Sequence, residues 1–248
     1  MDIGSISLSK NDVVRKCIGI LGIRGSGKSN TAKILIEELV KERVPVTVID
    51  PDGEYIDEIS NFNGIVVNDF SKDPISLAIE HHKKMSTVDI DMSEWTEESF
   101  KFLAKYLEAL WEISRFVGVD RTIVVEEAHE FIPQGKVTEL SDAIVRIALR
   151  GRKRGLGLVI VSQRSAKVNK DALSESEIYF LHKVVHPADL KVYKEILPMK
   201  PKEVEEIVPK LKTGEALFYY NGEVKQIKIR KFEIPILTSL KQFETVQI

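Results

Sequence analysis

The feature that most constrains this chain is a glycine-rich stretch with the sequence Gly22-Ile23-Arg24-Gly25-Ser26-Gly27-Lys28-Ser29. It matches the pattern G-x-x-x-x-G-K-[ST], in which the glycines allow a tight turn whose N–H groups converge on the phosphates of a nucleoside triphosphate. In this pattern the lysine reaches the β- and γ-phosphates, and the final hydroxyl ligates Mg²⁺. We therefore predict that a nucleotide is bound by Gly22, Arg24, Gly25, Ser26, Gly27, Lys28, Ser29 and Asn30.

The sequence around this loop predicts the strand and the helix that such a loop requires. Residues 17–21 form a short apolar run typical of a buried strand, and residues 30–42 carry apolar side chains at helical spacing. The same two patterns alternate along most of the chain. We predict strands at 45–50, 64–67, 87–91, 121–125, 156–162 and 178–185, and helices at 75–84, 95–117 and 140–150. This alternation predicts a mostly parallel sheet with helices on both faces.

The last third of the chain has a different pattern. Residues 187–208 predict short helices broken by two prolines, and residues 215–220 and 223–230 predict a β-hairpin joined by an Asn-Gly turn. For the residues from Pro235 onward, two interpretations remain: a tail that reaches a neighbour, or a frayed end.

Composition sets the outer limits. A length of 248 residues with 43% hydrophobic content suits one large α/β domain rather than two small ones. No apolar run approaches the roughly 20 residues needed to cross a bilayer. The N-terminus has no signal-peptide pattern and Cys17 is the only cysteine, so we expect a cytoplasmic protein without an internal disulfide. Because the net charge is only −2, any DNA contact must come from a local basic patch or from the pore of an assembly.

Two further strand ends predict the rest of a catalytic site. Residues 122–125 are apolar and lead into Glu126 and Glu127, an acidic strand end of the kind that stands beside a phosphate-binding loop. Glu126 would hold Mg²⁺ through water or Ser29, and Glu127 would polarise the attacking water as a general base. The alternative is a pair of exposed acids at a strand end. Gln163, at the end of the next predicted strand, could contact the γ-phosphate and the attacking water.

Basic residues crowd into nine positions before that strand: Arg146, Arg150, Arg152, Lys153 and Arg154. They are either a solvated basic helix end, which the helix dipole favours, or a site that acts on another subunit. Because they precede the strand whose far end carries Gln163, they should lie at the sheet edge opposite the phosphate-binding loop. Our hypothesis is that Arg150 or Arg152 contacts the nucleotide of a neighbouring subunit, which would require a ring.

The segment Asp50–Tyr55, with the sequence Asp-Pro-Asp-Gly-Glu-Tyr, allows two interpretations. Asp50 and Glu54 could order water or couple the nucleotide to a moving loop, or Pro-Asp-Gly could be an ordinary turn. We predict that His129 orients the acidic strand end and does not bind an ion.

Together these motifs resemble the HerA–FtsK superfamily of ring-forming, DNA-translocating ATPases, and within it the archaeal HerA-like branch. The resemblance is carried in order by Gly22–Thr31, Asp50–Tyr55, Val125–Phe131, Gly151–Arg164 and Gly214–Leu217. It implies an α/β, RecA-like P-loop NTPase fold with a mostly parallel central sheet and a C-terminal β-hairpin. The implied organisation is a single ATPase domain over residues 1–248, with a core at 15–186, helices and hairpin at 187–232, and a tail at 233–248.

The same resemblance implies a function. Members are typically hexamers that hydrolyse ATP with Mg²⁺ and pump double-stranded DNA through a central pore. The roles implied here are those argued above for Lys28, Ser29, Glu126, Glu127 and Gln163, with basic residues near Arg152 acting across the interface.

The chain also departs from the family. HerA itself is longer and has an N-terminal β-barrel that we do not expect in this chain, so the resemblance does not extend to the usual nuclease partner. Position 52 is Asp where the family often has His. A core of this kind resembles ATPases of archaeal viruses and plasmids, including genome-packaging motors. Two other functions remain open: a secretion-type ATPase that moves protein, and a nucleotide switch or kinase.

Overall fold

The computed structural model describes residues 1–234, in which helices and strands alternate along the chain. In chain order they are α1 (Lys10–Val13), β1 (Cys17–Leu21), α2 (Lys28–Lys41), β2 (Val46–Asp50), α3 (Ile56–Asn61), β3 (Ile65–Val67), α4 (Pro74–Lys83), β4 (Val88–Asp91), α5 (Glu97–Ile113), β5 (Arg121–Val125), α6 (Glu139–Arg150), β6 (Leu156–Ser162), α7 (Lys170–Ser174), β7 (Ile178–Leu181), α8 (Pro187–Ile196), α9 (Pro201–Ile207), β8 (Glu215–Tyr220) and β9 (Glu223–Lys228).

These strands form one sheet in the order β3-β4-β2-β5-β6-β1-β7-β8-β9. Pairing is parallel from β3 to β7, and only the last two pairs are antiparallel. Every residue of β1, β2, β5 and β6 is buried. Near-continuous apolar runs are what parallel strands need when helices cover both faces. The predicted α/β class and mostly parallel sheet are confirmed.

Two apolar layers enclose the sheet. On one face α4, α5 and α6 pack against it, together with the shorter α7, α8 and α9. On the other face α2 and α3 pack with the first residues of the chain, including Ile3 and Leu8. The sheet is therefore covered on both sides, and ligand access is left to its edges.

Local signals explain where several helices begin. Thr96 and Thr138 start α5 and α6 with capping boxes, so the long helix predicted from residue 95 starts at Glu97. α8 and α9 both begin at a proline, whose fixed φ suits the first helical turn. The helices predicted in residues 187–208 are therefore present.

The predicted hairpin is present as β8 and β9. Asn221 and Gly222 between them both have positive φ, at +50° and +83°, as a type I′ turn requires. β8 pairs with β7, so the hairpin extends the sheet at its edge. The tail predicted at residues 233–248 lies, from residue 235 onward, outside the described residues. No helix within residues 1–234 has the length and apolarity to span a bilayer.

Candidate nucleotide-binding site

The phosphate-binding loop connects β1 to α2, and backbone hydrogen bonds fix its start. The N–H of Gly22 donates to the carbonyl of Ser162 at 3.2 Å, and the N–H of Ile23 donates to the carbonyl of Lys183 at 2.9 Å. These acceptors lie at the ends of β6 and β7, the strands that flank β1. The loop is therefore held at the carboxyl edge of the sheet, where ligands bind in open α/β folds.

Helix α2 begins without a side-chain cap. Gly27 precedes it with φ of +111°, a left-handed conformation that glycine adopts readily. The first turn of α2 has no acidic residue, whereas Asp73, Thr96 and Thr138 cap the starts of α4, α5 and α6. Because the first N–H groups of a helix have no acceptor within it, this uncapped start is suited to bind phosphate.

The side chains at the start of α2 have different surroundings. Lys28 is 5% exposed, and its Nζ lies 3.4 Å from a carbonyl oxygen of the loop. Ser29 is half-buried. The amide of Asn30 holds the C-terminal segment instead, because it donates to the carbonyl of Arg230 and accepts from the N–H of Phe232, both at 2.8 Å. The side chain of Asn30 is therefore engaged by the segment at Arg230 and Phe232, and its backbone N–H is the group suited to contact a phosphate.

The tip of the loop is open to solvent. Arg24 and Gly25 are exposed, whereas Ser26 is 4% exposed. Burial and the charges of neighbouring acids raise the pKa of Asp52, and the charge of Arg24 acts against that rise.

Glu126 follows β5 and is enclosed. It is 2% exposed, and its Oε2 accepts from the hydroxyl of Tyr55 at 2.5 Å. Burial raises the pKa of Glu126 to about 8, and the charge of Glu127 adds to this rise, while Tyr55 and Lys28 act against it. A nearby cation would stabilise the ionised form of this carboxyl group.

Ser29 and Glu126 are suitable ligands for Mg²⁺. Both offer oxygen atoms, and Mg²⁺ in nucleotide sites usually takes one or two protein ligands and fills its other positions with phosphate and water. Within residues 1–234, no group of three or more His, Cys, Asp or Glu side chains is arranged to hold a metal by itself. The residues present therefore fit an ion that is bound together with a nucleotide.

Glu127 has a different environment from Glu126. Its φ is +44°, which is uncommon outside glycine and is often found at functional sites. Its Oε2 lies 3.2 Å from Nδ1 of His129 and accepts from the N–H of Gln163 at 3.3 Å. Although burial opposes ionisation, these hydrogen bonds and the charge of Lys28 lower the pKa of Glu127. Glu127 is therefore ionised at neutral pH, as a base that orients water must be.

His129 supports this arrangement. It is 7% exposed, and its Nδ1 lies 3.2 Å from both Glu127 Oε2 and Ser162 Oγ. The imidazole thus joins the acidic strand end to the end of β6. This geometry agrees with the orienting role predicted for His129.

The strand order decides how these groups are placed. β6 lies between β1 and β5 and pairs in parallel with both. Gln163, directly after β6, is consequently placed between the loop on one side and Glu127 on the other. That position suits a residue expected to contact both the γ-phosphate and the attacking water.

The turn that follows β2 is built around Asp50. Asp50 is fully buried, and its carboxylate accepts from the N–H of Tyr55 at 2.8 Å and of Asp52 at 3.2 Å. Of the two interpretations, the structure favours a structural turn for Asp50. Its effect on the site is indirect, because it positions Tyr55 to donate to Glu126.

The basic residues lie at the opposite edge of the sheet, as the sequence predicted. Arg150 ends α6, and Arg152 lies in the 3-10 turn that leads into β6. Both are exposed, and Nη1 of Arg152 lies 3.9 Å from Oε2 of Glu177. Because β6 runs parallel to β1, neither arginine is near the loop of its own chain.

Two neighbouring arginines have a packing role instead. The guanidinium of Arg154 lies 4.0 Å from the ring centroid of Trp111 and donates to its backbone carbonyl at 2.7 Å. The guanidinium of Arg146 lies 5.5 Å from the same centroid. These contacts hold α5, so Arg146 and Arg154 pack against Trp111 rather than forming a site.

Sequence reasoning missed two supporting residues. Tyr55 was inside a stretch that resembled the family but had no role assigned. His182, directly after β7, is fully buried, with Nε2 2.9 Å from Thr31 Oγ1 and Nδ1 3.0 Å from the carbonyl oxygen of Glu215. Burial lowers the pKa of His182 to about 4, so it packs beneath α2 as a neutral ring. Nothing in the local sequence distinguishes this histidine.

A family model described as the central domain of the helicase HerA matches residues 2–178. The chain is 26% identical over 195 residues to the DNA double-strand break repair helicase HerA of Pyrococcus furiosus, covering 79% of this chain and 34% of that protein. It is 38% identical over 113 residues to HerA of Sulfolobus acidocaldarius, covering 44% and 23% respectively. The chain thus spans about a quarter to a third of the length of these relatives.

Solved structures share the fold. The genome packaging NTPase B204 of Sulfolobus turreted icosahedral virus 2, in complex with sulfate, has a TM-score of 0.67 at 19% identity, with 87% of this chain and 97% of that one covered. VirB4 of Thermoanaerobacter pseudethanolicus has a TM-score of 0.65 at 15% identity, with 87% and 89% covered.

Proposed function

Since the chain belongs to the family of the helicase HerA central domain, we propose that it is a Mg²⁺-dependent, ATP-hydrolysing motor that moves double-stranded DNA. We propose that it works as a homohexameric ring of the helicase or genome-packaging type. The names of two similar proteins support DNA as the substrate: one is a DNA double-strand break repair helicase, and the other is a genome packaging NTPase.

The main support comes from the carboxyl edge of the sheet. Three strand ends meet there: the loop after β1, the acids after β5 and Gln163 after β6. The N–H of Gln163 and Oε2 of Glu127 are 3.3 Å apart, and Lys28 is close enough for its charge to act on both acids. A phosphate-binding cradle and an ionised carboxylate on adjoining strands suit the attack of water on a terminal phosphate.

Each residue then has a defined task. Lys28 and the N–H groups of the loop bind the phosphates, while Ser29 and Glu126 hold the metal ion. Glu127 accepts the proton of the attacking water, and Gln163 contacts the γ-phosphate. When bound, Mg²⁺ supplies positive charge to the β- and γ-phosphate oxygens.

The arginines support a ring. Arg150 and Arg152 are exposed at the amino edge of the sheet, away from the loop of their own chain. A neighbour in a head-to-tail ring could place its nucleotide against that edge. One of these two arginines would then stabilise the charge of the transition state in trans.

We also propose that residues 1–248 form one ATPase domain. β7 pairs with β1 on one side and with β8 on the other, so the hairpin belongs to the sheet that carries the loop. With DNA as the substrate, we place the motor in the cytoplasm.

The proposal is tested by measuring ATP hydrolysis with and without double-stranded DNA, beside native mass measurement of the assembly. We expect Mg²⁺-dependent hydrolysis that DNA stimulates, and a ring mass. Lys28→Ala should abolish hydrolysis. Absence of hydrolysis in the unchanged protein would refute the ATPase function.

Binding to duplex DNA separates the two motor functions. A DNA motor should bind duplex DNA with an affinity that falls steeply as salt rises, because phosphate contacts release counterions. Hydrolysis without any DNA binding at low salt would favour the protein-moving ATPase instead.

A further inference from the structure

A turn before β8 packs against the rear of the phosphate-binding loop. We call residues 212–215 the rear turn. The hydroxyl of Thr213 donates to the carbonyl of Gly25 at 3.1 Å, and the N–H of Gly214 donates to the carbonyl of Ser26 at 3.0 Å. Two successive carbonyls of the loop are thus held from a segment 188 residues further along the chain.

These two bonds set the direction of the loop's N–H groups. A trans peptide is planar, so the carbonyl of one residue and the N–H of the next point in opposite directions. Because the carbonyls of Gly25 and Ser26 face the rear turn, the N–H groups of Ser26 and Gly27 face away from it, into the bend. The N–H of Ser26 donates across the bend to the carbonyl of Ile23 at 3.2 Å, whereas the N–H of Gly27 has no acceptor within residues 1–234.

The contact between loop and rear turn is close. A Cβ atom added to Gly27 would lie only 3.0 Å from the backbone nitrogen of Gly214. Gly214 itself has φ of +80°, a left-handed conformation that costs energy for most other residues. Main chain therefore meets main chain here, because the contact leaves no room for a side chain at Gly27, while at Gly214 it is the positive φ that favours glycine.

The rear turn is itself firmly held. The carbonyl of Gly214 accepts from the N–H of Ile229 at 2.8 Å, and the N–H of Lys212 donates to Oε2 of Glu215 at 2.9 Å. The carbonyl oxygen of Glu215 lies 3.0 Å from Nδ1 of His182, which packs beneath α2. The turn is consequently a fixed support for the loop.

Building on the nucleotide binding proposed above, we propose that Thr213 and Gly214 are positioning residues for the phosphates. Thr213 holds the bend of the loop, and Gly214 directs the N–H of Gly27 toward the triphosphate, so that both raise the affinity for nucleotide. This gives a task to the stretch Gly214–Leu217, which resembled the family without an assigned role.

The first test is the Kd of a non-hydrolysable ATP analogue with Mg²⁺. Thr213→Val removes the hydroxyl but keeps the shape, and should raise the Kd about two- to tenfold, the usual effect of one hydrogen bond. Thr213→Ser should restore affinity because it retains the donor. Lys202→Ala, at an exposed position on α9, is the control and should bind as the unchanged protein does.

The melting temperature of the nucleotide-free protein distinguishes a positioning role of Thr213 from a purely structural one. Thr213 is exposed, so Thr213→Val should leave the melting temperature of the nucleotide-free protein unchanged. Under turnover, KM should rise while kcat is retained. A fall in melting temperature that parallels the loss of affinity would overturn the positioning role.

The second test is hydrogen exchange of the rear turn. The analogue should slow exchange of the Gly214 amide in the unchanged protein and not in Lys28→Ala. Gly214→Ala should raise the Kd on the order of tenfold, because alanine is strained at positive φ.

The outcomes separate the two proposals. If the unchanged protein binds the analogue and Thr213→Val binds it equally well, the positioning role is wrong and the proposed function stands. If the unchanged protein and Lys28→Ala bind equally weakly, the proposed function fails, and the positioning role fails with it.

Discussion

Among single residues, Glu126 and Glu127 show how adjacent side chains of the same type acquire different chemistry. Burial raises the pKa of Glu126 to about 8. For Glu127, burial is outweighed by hydrogen bonds from His129 and Gln163, which lower its pKa. Glu127 has a positive φ just after the end of β5, where its carboxylate meets these partners. Carboxyl groups with opposite pKa shifts suit different tasks, here metal binding and water activation.

Glu127→Gln tests the assignment of the base. The amide keeps the size of the side chain but cannot accept a proton, so we expect ATP to bind normally while kcat falls about 10²- to 10⁴-fold. Single-turnover measurement with labelled ATP would separate binding from cleavage. Glu112→Gln, at an exposed position on α5, is the control. Normal turnover by Glu127→Gln would show that the base is misassigned.

Tyr55→Phe tests the support of Glu126. The hydroxyl of Tyr55 donates a hydrogen bond to Glu126 at 2.5 Å. Losing a hydrogen-bond partner of a metal ligand typically weakens metal affinity about 10- to 100-fold. We expect a higher Mg²⁺ concentration for half-maximal hydrolysis. Tyr106→Phe is the control, because that hydroxyl is also buried but bonds to His81. Equal Mg²⁺ dependence in both variants would contradict the role of Tyr55.

At this scale the sequence predicts a residue when its chemistry lies in a local pattern. Lys28, Ser29 and the acid pair were found in this way. Tyr55 and Glu126 are 71 positions apart, and their contact exists only because β2 and β5 are neighbours. The contact of Thr213 with the phosphate-binding loop could not be predicted from the local sequence either. Supporting residues are missed because long-range pairing creates them.

Among the elements, β4 carries an unusual buried acid. Asp89 is fully buried in the middle of β4, and neither carboxylate oxygen has a hydrogen-bond partner within residues 1–234. Burial raises the pKa of Asp89 to about 8, and the charges of Asp50, Asp91 and Glu58 add to the rise. Asp89 is therefore mostly protonated at neutral pH in the folded protein.

This element should make stability depend on pH. The pKa of Asp89 is higher in the folded chain than its ordinary value of 3.8, so its contribution is most favourable below about pH 4. Stability should then fall as pH rises toward about 8, by up to about 1.4 kcal/mol per pH unit. Urea unfolding at a series of pH values would measure the slope.

Asp89→Asn should remove this part of the pH dependence. The amide is neutral at every pH, so the variant should gain stability relative to the unchanged protein as pH rises. The slope should become shallower rather than vanish, because the raised pKa of Glu126 acts in the same direction. Asp69→Asn, at an exposed position, is the control. An unchanged slope in Asp89→Asn would contradict the explanation.

Element types were predicted better than element ends. The hairpin and the long helices were found because Asn-Gly turns and 3.6-residue spacing are strong local signals. The strand predicted at 178–185 ends at Leu181, because the chain then turns so that Lys183 can accept from the loop. Helices α1, α3 and α7 have only four to six residues, too few to show a period.

For the whole molecule, the sequence predicted the fold class but not the strand order. Alternating strands and helices favour a parallel sheet, and the sheet is parallel from β3 to β7. The insertion of β6 between β1 and β5 depends on pairings between distant segments, which no local pattern encodes. That insertion places Gln163 between the loop and the acids.

The ring can be tested by mixing subunits. We expect Arg152→Ala or Arg150→Ala to lower kcat about 10³-fold or more, as loss of an arginine finger does. Lys153→Ala, an exposed neighbour in the same 3-10 turn, is the matched control. Unchanged turnover in both arginine variants would refute action in trans.

Mixing also shows which subunit supplies the arginine. Lys28→Ala has a defective loop and an intact arginine. Whichever of Arg150→Ala and Arg152→Ala loses activity has an intact loop and lacks the arginine. If the arginine acts on a neighbour, mixed assemblies should regain activity that neither variant has alone. No recovery, despite mixed assembly in native mass measurement, would contradict the ring interface.

Strand β6 has one further consequence. Its seven residues span about 23 Å, with the outward-facing arginines before its first residue and Gln163 after its last. In the proposed ring, the two ends of β6 would thus lie against two nucleotides: the one bound by its own chain and the one bound by the adjacent subunit. Hydrolysis of one nucleotide would alter the contacts of β6 with the other. We therefore expect the subunits to hydrolyse ATP one after another around the ring rather than at random.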